Sequence, residues 1–362
     1  MKKQKNLDVF NRFYSGKRVL ITGHTGFKGS WLSIWLHELG AEVIGLGLNP
    51  YSDKDNYVLS SIGKKIKVDL RADIRDGERM KQIFSEYQPE IVFHLAAQPL
   101  VRLSYEEPVY TWQTNVMGSI NIMEAVRQTD SVKVAVMITT DKCYENKEQH
   151  HAYKEDEPMG GYDPYSSSKG AAEIAISSWR RSFMNPYDYN KHHKSIASVR
   201  AGNVIGGGDW AKDRIIPDCI RAIEAGVPIA IRNRNAVRPW QYVLEPLRGY
   251  LLLAKKMWNE PAEYCEGWNF GPEMDSLVSV GDLVNKLVSE YGQGSLEDKT
   301  DVSAVHEANL LILDINKSKT KLGWKPKINI NECIEMTTDW YKRYRTNSVY
   351  EICVEELEKY CQ

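Results

Sequence analysis

Short apolar runs alternate with stretches of helical spacing over the first 200 residues. Five runs rich in β-branched residues predict buried strands at Arg18–Thr22, Glu42–Leu48, Ile91–Leu95, Val132–Thr139 and Ser195–Ala201. Segments of helical periodicity lie between them at Ser30–Leu39, Asp76–Tyr87 and Pro108–Arg127. Short strands that alternate with helices predict an α/β fold, in which a doubly wound parallel sheet has helices on both faces.

The alternation weakens after residue 201. Helical spacing returns at Arg214–Gly226, Leu247–Trp258 and Val280–Tyr291, and irregular stretches rich in Asn, Gly, Pro and Trp separate these segments. This change predicts a smaller, mixed α/β domain beside the sheet. We therefore predict a first domain over residues 1–200 and a second over residues 201–362. Because no clear linker separates them, we expect the two to be partly interleaved.

Composition narrows the range of functions. The 362 residues include 47 basic and 48 acidic side chains, and this balance gives no sign of a nucleic-acid partner. No apolar run reaches the roughly 20 residues that span a bilayer, and the polar N-terminus does not resemble a signal peptide. The six cysteines form no Cys-x-x-Cys pair. We therefore expect no metal site, no disulfide framework and a cytoplasmic location.

A glycine-rich loop follows the first predicted strand. Residues 22–29 read Thr-Gly-His-Thr-Gly-Phe-Lys-Gly. One glycine permits a tight turn, another lets a pyrophosphate approach closely, and a third lets the following helix pack against the strand. The N-terminus of that helix then faces the phosphates. The loop predicts a dinucleotide-binding site, and the alternative is an ordinary tight turn.

Two stretches bear on which dinucleotide binds: the residues after the second predicted strand, and residues 69–76, which are predicted to end a further strand before Ile91–Leu95. An acidic residue at the end of strand two usually holds the adenine ribose, but residues 47–50 read Gly-Leu-Asn-Pro. No arginine stands there to favour a 2′-phosphate, so NAD is favoured over NADP. Asp73 and Ile74 are candidates to border the adenine. A solvated charged turn is an equal alternative at these two positions.

Tyr165 and Lys169 form the most informative pair. Asp163 is a predicted N-cap and Pro164 suits the first helical position, so the four-residue spacing places Tyr165 and Lys169 on one helical face. A free tyrosine has a pKa of about 10, and a nearby ammonium is expected to lower it. The pair predicts hydride-transfer chemistry. An ordinary surface pair is the alternative.

Three polar residues follow the strand predicted at 132–139. Thr140 lies at its carboxyl end, where doubly wound sheets bind their ligands, and its hydroxyl can orient a substrate oxygen. Asp141 and Lys142 follow at once and form a second acid–base pair. A solvated loop is the alternative here.

Together these motifs resemble the extended short-chain dehydrogenase/reductase family, whose members have a Rossmann-type fold. The matching features are the glycine loop, His94-Leu-Ala-Ala-Gln98, Asn115, Thr140 and the Tyr165–Lys169 pair. Within the family the chain resembles nucleotide-sugar 4,6-dehydratases, most closely those that act on CDP-glucose. Segments 27–32, 139–144, 200–210, 213–218, 238–240 and 268–272 show that closer likeness.

The resemblance implies an NAD-dependent dehydration in deoxysugar biosynthesis. Tyr165 takes the proton of the C4 hydroxyl while hydride leaves C4. A base then removes the C5 proton, an acid protonates the departing C6 hydroxyl, and the hydride returns to C6. Relatives that use dTDP-glucose or GDP-mannose usually have Asp-Glu where this chain has Asp141-Lys142. We assign Asp141 as the acid and Lys142 as the base as a hypothesis, because a lysine acts as a base only when it is neutral.

The resemblance also implies ligand contacts and assembly. The implied NAD contacts are Gly23, Thr25, Gly26, Phe27, Lys28, Gly29, Asp73, Ile74, Leu95, Ala96, Ala97, Gln98, Asn115, Tyr165 and Lys169. The candidate nucleotide-sugar contacts are Gln98, Asn203, Arg214, Arg238 and Trp240. Arginine forks suit a diphosphate and an aromatic face suits a base, although a structural role for each residue stays open. A homodimer or homotetramer is expected through the helices at Pro108–Arg127 and Tyr165.

Two other functions compete with the dehydratase. A nucleotide-sugar 4-epimerase would share the glycine loop, Thr140, Tyr165 and Lys169, but it would not need the Asp141-Lys142 pair. A catalytically silent NAD-binding sensor would commonly lose the tyrosine or the lysine, and this chain has both.

Overall fold

The computed structural model describes residues 7–299 and 310–362. The strands are β1 Arg18–Thr22, β2 Glu42–Gly47, β3 Val68–Arg71, β4 Ile91–His94, β5 Val134–Ile138, β6 Ala152–Tyr153, β7 Ser195–Ala201, β8 Val204–Ile205, β9 Ile229–Ile231, β10 Val237–Pro239, β11 Gln241–Tyr242, β12 Gly267–Phe270, β13 Leu277–Ser279, β14 Leu296–Asp298 and β15 Ile312–Leu313. The α-helices are α1 Phe27–Glu38, α2 Asn56–Ser60, α3 Gly77–Tyr87, α4 Val101–Glu106, α5 Pro108–Trp112, α6 Gly118–Gln128, α7 Pro164–Ser182, α8 Tyr189–His192, α9 Ile215–Ala225, α10 Leu244–Asn259, α11 Val280–Tyr291, α12 Asn316–Thr320, α13 Ile330–Arg343 and α14 Val349–Cys361.

Seven parallel strands form the central sheet in the order β12-β7-β5-β4-β1-β2-β3. The chain runs from β1 outward through β2 and β3, and then returns to the other side of β1 at β4. This reversal defines a doubly wound sheet, and ligands of such sheets bind at the carboxyl ends of the strands beside the reversal. The predicted Rossmann-type fold is confirmed, and the five predicted strands lie within two residues of the observed ones.

The two faces of the sheet build two hydrophobic clusters. Val19 and Ile21 of β1 lie in a cluster with α1 and α14, whereas Leu20 lies in a second cluster with α3 and α6. Successive side chains of a strand point to opposite faces, so a strand covered on both sides must be apolar throughout. This explains why the strands read as continuous apolar runs. The predicted helix at Pro108–Arg127 is α5 and α6, joined by a π-helical turn at Gln113–Met117.

Residues beyond 200 contribute to the sheet as well as to a smaller region beside it. Strand β12 pairs with β7, with Trp268 opposite Val199. Strand β15 pairs with β6 of the first half, and α10 packs against β5 and β7. Short two-stranded sheets, β8 with β11, β9 with β14 and β10 with β13, occupy the second half. A domain boundary near residue 200 stays a prediction, since these contacts cross it.

In the described residues, no helix combines the length and apolar character needed to cross a membrane. The same residues contain no group of three or more His, Cys, Asp or Glu side chains placed to hold a metal ion. All six cysteines are buried and unpaired.

Candidate active site

A cavity of about 370 Å³ lies at the carboxyl ends of β1, β4, β5 and β7. Side chains from both halves of the chain form its walls. The predicted site residues that line it are Phe27, Lys28, Leu95, Ala97, Thr140, Asp141, Lys142, Tyr165, Lys169, Asn203, Arg214, Arg238 and Trp240. All five predicted catalytic residues therefore meet at one place.

The three glycines of the loop meet three different constraints. Gly23 has a φ of +72°, and a Cβ there would lie 2.8 Å from the backbone nitrogen of Ala96. A Cβ at Gly29 would overlap the carbonyl of Gly23. Gly26 is exposed, and the nearest atom to a Cβ there would be 3.4 Å away. The tight turn thus excludes a side chain at Gly23, and the packing of α1 excludes one at Gly29. Gly26 leaves the N-terminus of α1 open to a pyrophosphate. These residues fit a dinucleotide.

Several predicted cofactor contacts lie around the cavity without lining it. Thr25 Oγ1 donates to the carbonyl of Leu48 at 3.1 Å, which ties the glycine loop to the end of β2. The Arg75 guanidinium holds the pKa of Asp73 below its ordinary value, and Ile74 is buried. Ala96 donates its backbone N–H to Thr22 Oγ1. Contact of Asp73 and Ile74 with adenine stays a prediction.

Gln98 and Asn115 lie behind the cavity wall and bind each other. Asn115 Oδ1 accepts from the Gln98 N–H at 2.9 Å, and Asn115 Nδ2 donates to Ser168 Oγ at 2.9 Å. Gln98 Nε2 donates to Thr111 Oγ1 at 2.9 Å. These bonds hold the loop after β4 against α7. Neither side chain lines the cavity, so their contacts with ligands stay predictions.

Helix α7 begins where the sequence predicts. Asp163 Oδ1 accepts from the Ser166 N–H at 2.9 Å, and Pro164 is the first helical residue. The Tyr165 N–H donates to Ser104 Oγ at 3.1 Å, which fixes the start of the helix beside α4. Ser104 is a positioning residue that the sequence interpretation missed, because no local motif marks it.

Burial dominates the electrostatics of Tyr165 and Lys169. It raises the pKa of Tyr165 to about 12, although a hydrogen bond with Thr140 and the charge of Arg214 act in the opposite direction. It lowers the pKa of Lys169 to about 8. Lys169 Nζ donates to the carbonyl of Ile138 at 3.1 Å. The expected lowering of the Tyr165 pKa is therefore wrong for the protein by itself, because desolvation outweighs the nearby cations.

Thr140 and Asp141 form a buried hydrogen-bonded pair. Thr140 Oγ1 donates to Asp141 Oδ1 at 2.9 Å, and Asn203 Nδ2 lies 3.4 Å from Asp141 Oδ2. A Cβ at Gly202 would overlap the Asp141 carboxylate. The residues after β5 and β7 thus hold this carboxylate at the cavity wall.

An ion pair that the sequence interpretation missed lies behind Lys169. Glu173, one helical turn further along α7, accepts from Thr139 Oγ1 at 2.5 Å, from Ser198 Oγ at 2.7 Å and from Arg200 Nη2 at 2.9 Å. Burial opposes the charge of Glu173, but Arg200 and the hydroxyl donors outweigh it, so the pKa of Glu173 is lowered. The pair joins α7 to β5 and β7.

The wall contributed by the second half of the chain is basic and aromatic. Arg214 Nη1 lies 2.9 Å from Asp209 Oδ2, and this carboxylate raises the pKa of Arg214. Arg238 and Trp240 line the cavity, as does Arg232, which the sequence interpretation missed. Trp240 Nε1 donates to the carbonyl of Val278 at 3.2 Å. Several guanidinium groups beside an indole ring suit a nucleoside diphosphate.

Comparison of sequences places the chain among nucleotide-sugar enzymes. The sequence model of a family described as GDP-mannose 4,6 dehydratase matches residues 20–337. CDP-glucose 4,6-dehydratase from Salmonella typhimurium is 47% identical over 345 residues, which cover 95% of this chain and 96% of that protein. A probable dTDP-glucose 4,6-dehydratase from Sinorhizobium fredii is 27% identical, with coverage of 90% and 92%.

Solved structures share the fold. UDP-glucose 4-epimerase from Thermotoga maritima, with UDP-glucose, has a TM-score of 0.75 and 25% identity over 90% of this chain and 99% of that one. A dTDP-glucose 4,6-dehydratase from Streptomyces venezuelae, with NAD bound, has a TM-score of 0.77 and 21% identity over 91% and 98%. Because the Streptomyces enzyme is only 21% identical to this chain, its likeness shows the shared fold alone.

The glycine loop offers a matched pair of substitutions. We expect Gly29→Ala to reduce the free energy of unfolding of the ligand-free protein by about 3 kcal/mol, because backbone cannot move aside as a flexible side chain can. Gly26→Ala places its methyl group on the open face and should cost about 1 kcal/mol or less, while weakening dinucleotide binding. Urea unfolding measures the free energy of unfolding of each variant, and a titration with the dinucleotide measures its binding. Equal destabilisation by the two substitutions would contradict the roles given to these glycines.

Proposed function

We propose that this chain, which belongs to the GDP-mannose 4,6-dehydratase family, is an NAD-dependent CDP-glucose 4,6-dehydratase. The identity of 47% with the Salmonella enzyme over almost the whole chain supports CDP-glucose as the substrate. The observation that supports the chemistry best is that Asp141 and Lys142 line the same cavity as Thr140, Tyr165 and Lys169. Oxidation and reduction at C4 alone would not need this additional acid–base pair.

Tyr165 and Thr140 act at C4 of the sugar. Thr140 orients the C4 hydroxyl, and Tyr165 accepts its proton as the C4–H bond breaks. NAD, held at the glycine loop Gly23–Gly29, would supply the hydride acceptor for C4 and the hydride donor for C6. Because burial raises the pKa of Tyr165 to about 12, proton transfer near neutral pH needs positive charge beside the phenol. Arg214 already acts on the phenol at this pKa, so further positive charge must come with the ligand, and the cationic nicotinamide ring of NAD suits this role.

Asp141 and Lys142 turn the oxidation into a dehydration. The new C4 ketone makes the C5 hydrogen acidic, and Lys142 removes it as a proton. Asp141 donates a proton to the C6 hydroxyl, which leaves as water, and the C5–C6 double bond that forms then accepts hydride at C6 and a proton at C5. Each positioned proton transfer contributes roughly 10²–10⁴ in rate. The net change is the loss of one water.

The cysteines support a proposal for the cellular location. All six are buried and unpaired, which suits a reducing compartment. We propose that the enzyme works in the cytoplasm.

The activity is tested by incubating the purified protein and NAD with CDP-glucose. We expect a 4-keto-6-deoxy sugar, which absorbs strongly in the ultraviolet after treatment with base, and much less product from dTDP-glucose, UDP-glucose or GDP-mannose. Tyr165→Phe should lose at least about 10²-fold in rate. A 4-epimer as the product would favour an epimerase instead. No product from any of the four substrates, with intact NAD, would exclude the proposal.

The assignment of the base has its own test. We expect Lys142→Ala to slow exchange of the C5 hydrogen with deuterated solvent by about 10²–10⁴-fold, while reduced nicotinamide still accumulates from C4 oxidation. Asp141→Asn is the matched control, because it should retain C5 exchange and block the loss of water. Nuclear magnetic resonance follows the exchange. Exchange at the normal rate in Lys142→Ala means that another group is the base.

The exposed apolar side chains of α5 to α7 support a homodimer. Val109, Met117 and Ile174 are 69%, 51% and 60% exposed, on helices that pack against each other. We propose that these faces meet those of a second copy. Light scattering should give at least twice the chain mass of 41.5 kDa, and Ile174→Asp should reduce it to that mass. Tyr51→Asp is the matched control, since Tyr51 is 73% exposed outside these helices. A monomeric wild-type protein would refute the proposal.

A further inference from the structure

Lys28 has a side chain that the glycine-loop motif does not require. Such loops bind phosphates through backbone N–H groups, so the side chain at this position is free to differ. Lys28 is partly buried and lines the active-site cavity. Its ammonium nitrogen lies 5.9 Å from the centroid of the Tyr250 ring. The mechanism proposed above gives Lys28 no proton to move and no atom to orient.

The charged groups that face Lys28 come from three other parts of the chain. Arg214, before α9, and Lys169, on α7, oppose a positive charge on Lys28, whereas Asp141, after β5, favours it. Tyr250 of α10 adds an aromatic wall. Burial is the largest influence, and together these effects lower the pKa of Lys28 to about 7. Lys28 therefore loses its proton far more readily than an exposed lysine, whose pKa is about 10.4.

We propose that Lys28 binds a diphosphate in this cavity as an ammonium ion, and that the protein takes up a proton at Lys28 when the diphosphate binds. The inference rests on the proposed function, because NAD and CDP-glucose each contain a diphosphate. Lys28 is the second residue of α1, whose N-terminus is open at Gly26. This position makes the pyrophosphate of the dinucleotide the expected source.

The direction of the proton transfer follows from the charges. Two phosphate charges near Lys28 offset the repulsion from Arg214 and Lys169, so the pKa of Lys28 rises on binding. Proton uptake is small at pH 6, where Lys28 is already charged. Proton uptake is larger at pH 8, because more of the free protein then holds a neutral amine at Lys28. Affinity for the diphosphate must accordingly weaken as the pH rises from 7 to 8.

Bound dinucleotide is first removed from the protein. Calorimetric titrations then measure the proton uptake at pH 6 and at pH 8, each in two buffers that differ in their heat of ionisation. The probes are ADP-ribose, which has the diphosphate of the cofactor, and CDP-choline, which has that of the substrate. Both are diphosphate diesters, so neither phosphate titrates in this range. Uptake with ADP-ribose supports the proposal as stated, and uptake with CDP-choline alone supports it with the substrate as the source. Buffer-independent heats with both probes overturn it.

Variants assign the proton to Lys28. Lys28→Arg should bind ADP-ribose at pH 8 with no proton uptake, because a guanidinium stays charged. Lys28→Met should bind about tenfold more weakly at pH 6 than the wild type and also take up no proton. Thermal unfolding without ligand checks that each variant is folded.

Lys169→Met is the matched control, since burial also lowers the pKa of Lys169, to about 8. Uptake that disappears in Lys169→Met and persists in Lys28→Met overturns the proposal. Dehydration of CDP-glucose by the wild type is a separate measurement, so either conclusion can fail without the other.

Discussion

The active site depends on one buried carboxylate. Glu173 lies on α7 and accepts hydrogen bonds from Thr139 at the end of β5 and from Ser198 and Arg200 of β7. An unpaired charge at this depth would be strongly destabilising, so Arg200 and the two hydroxyls must stay in place around it. Because Thr139 precedes Thr140 and Glu173 follows Lys169 by one turn, this ion pair sets how α7 faces the loop after β5. The relative position of the predicted catalytic residues therefore depends on contacts of Glu173 that lie outside the cavity itself.

Burial works against the charges that the chemistry needs. It lowers the pKa values of Lys28 and Lys169 and raises that of Tyr165, so in the protein alone the two lysines are less fully protonated, and Tyr165 is less ionised, than isolated side chains would be. On the proposed function, a bound diphosphate would favour the ammonium form of Lys28, and a bound cationic ring would favour the phenolate of Tyr165. We therefore infer that the protonation states suited to the proposed chemistry belong to the complex with its ligands.

Local sequence signals predicted much of this architecture. Each strand buried on both faces reads as an apolar run, and the start of α7 is marked by Asp163 and Pro164, so these elements are encoded within a few residues. The positions of Gly26 and Gly29 likewise reflect contacts inside the glycine loop, whereas Gly23 also lies against Ala96, after β4. Glu173 and Arg200 gave no such signal, since 27 residues separate them and only the folded chain brings them together. The pKa of Tyr165 was mispredicted for a related reason, because helical spacing reports neighbours on the helix and not depth of burial.

Hydrogen bonds also join the two halves of the chain, for which the sequence predicts partly interleaved domains. The hydroxyl of Tyr144, two residues after Lys142, accepts from Arg200 at 2.6 Å and donates to Asn269 Oδ1 at 2.8 Å. Asn269 belongs to β12, and its Nδ2 donates to the carbonyls of Tyr153 and Asp314. A strand from the second half thus holds the end of the catalytic loop that the first half supplies. Strand β12 and the predicted catalytic loop share one hydrogen-bonded network, so the geometry of the candidate site depends on both halves being folded together.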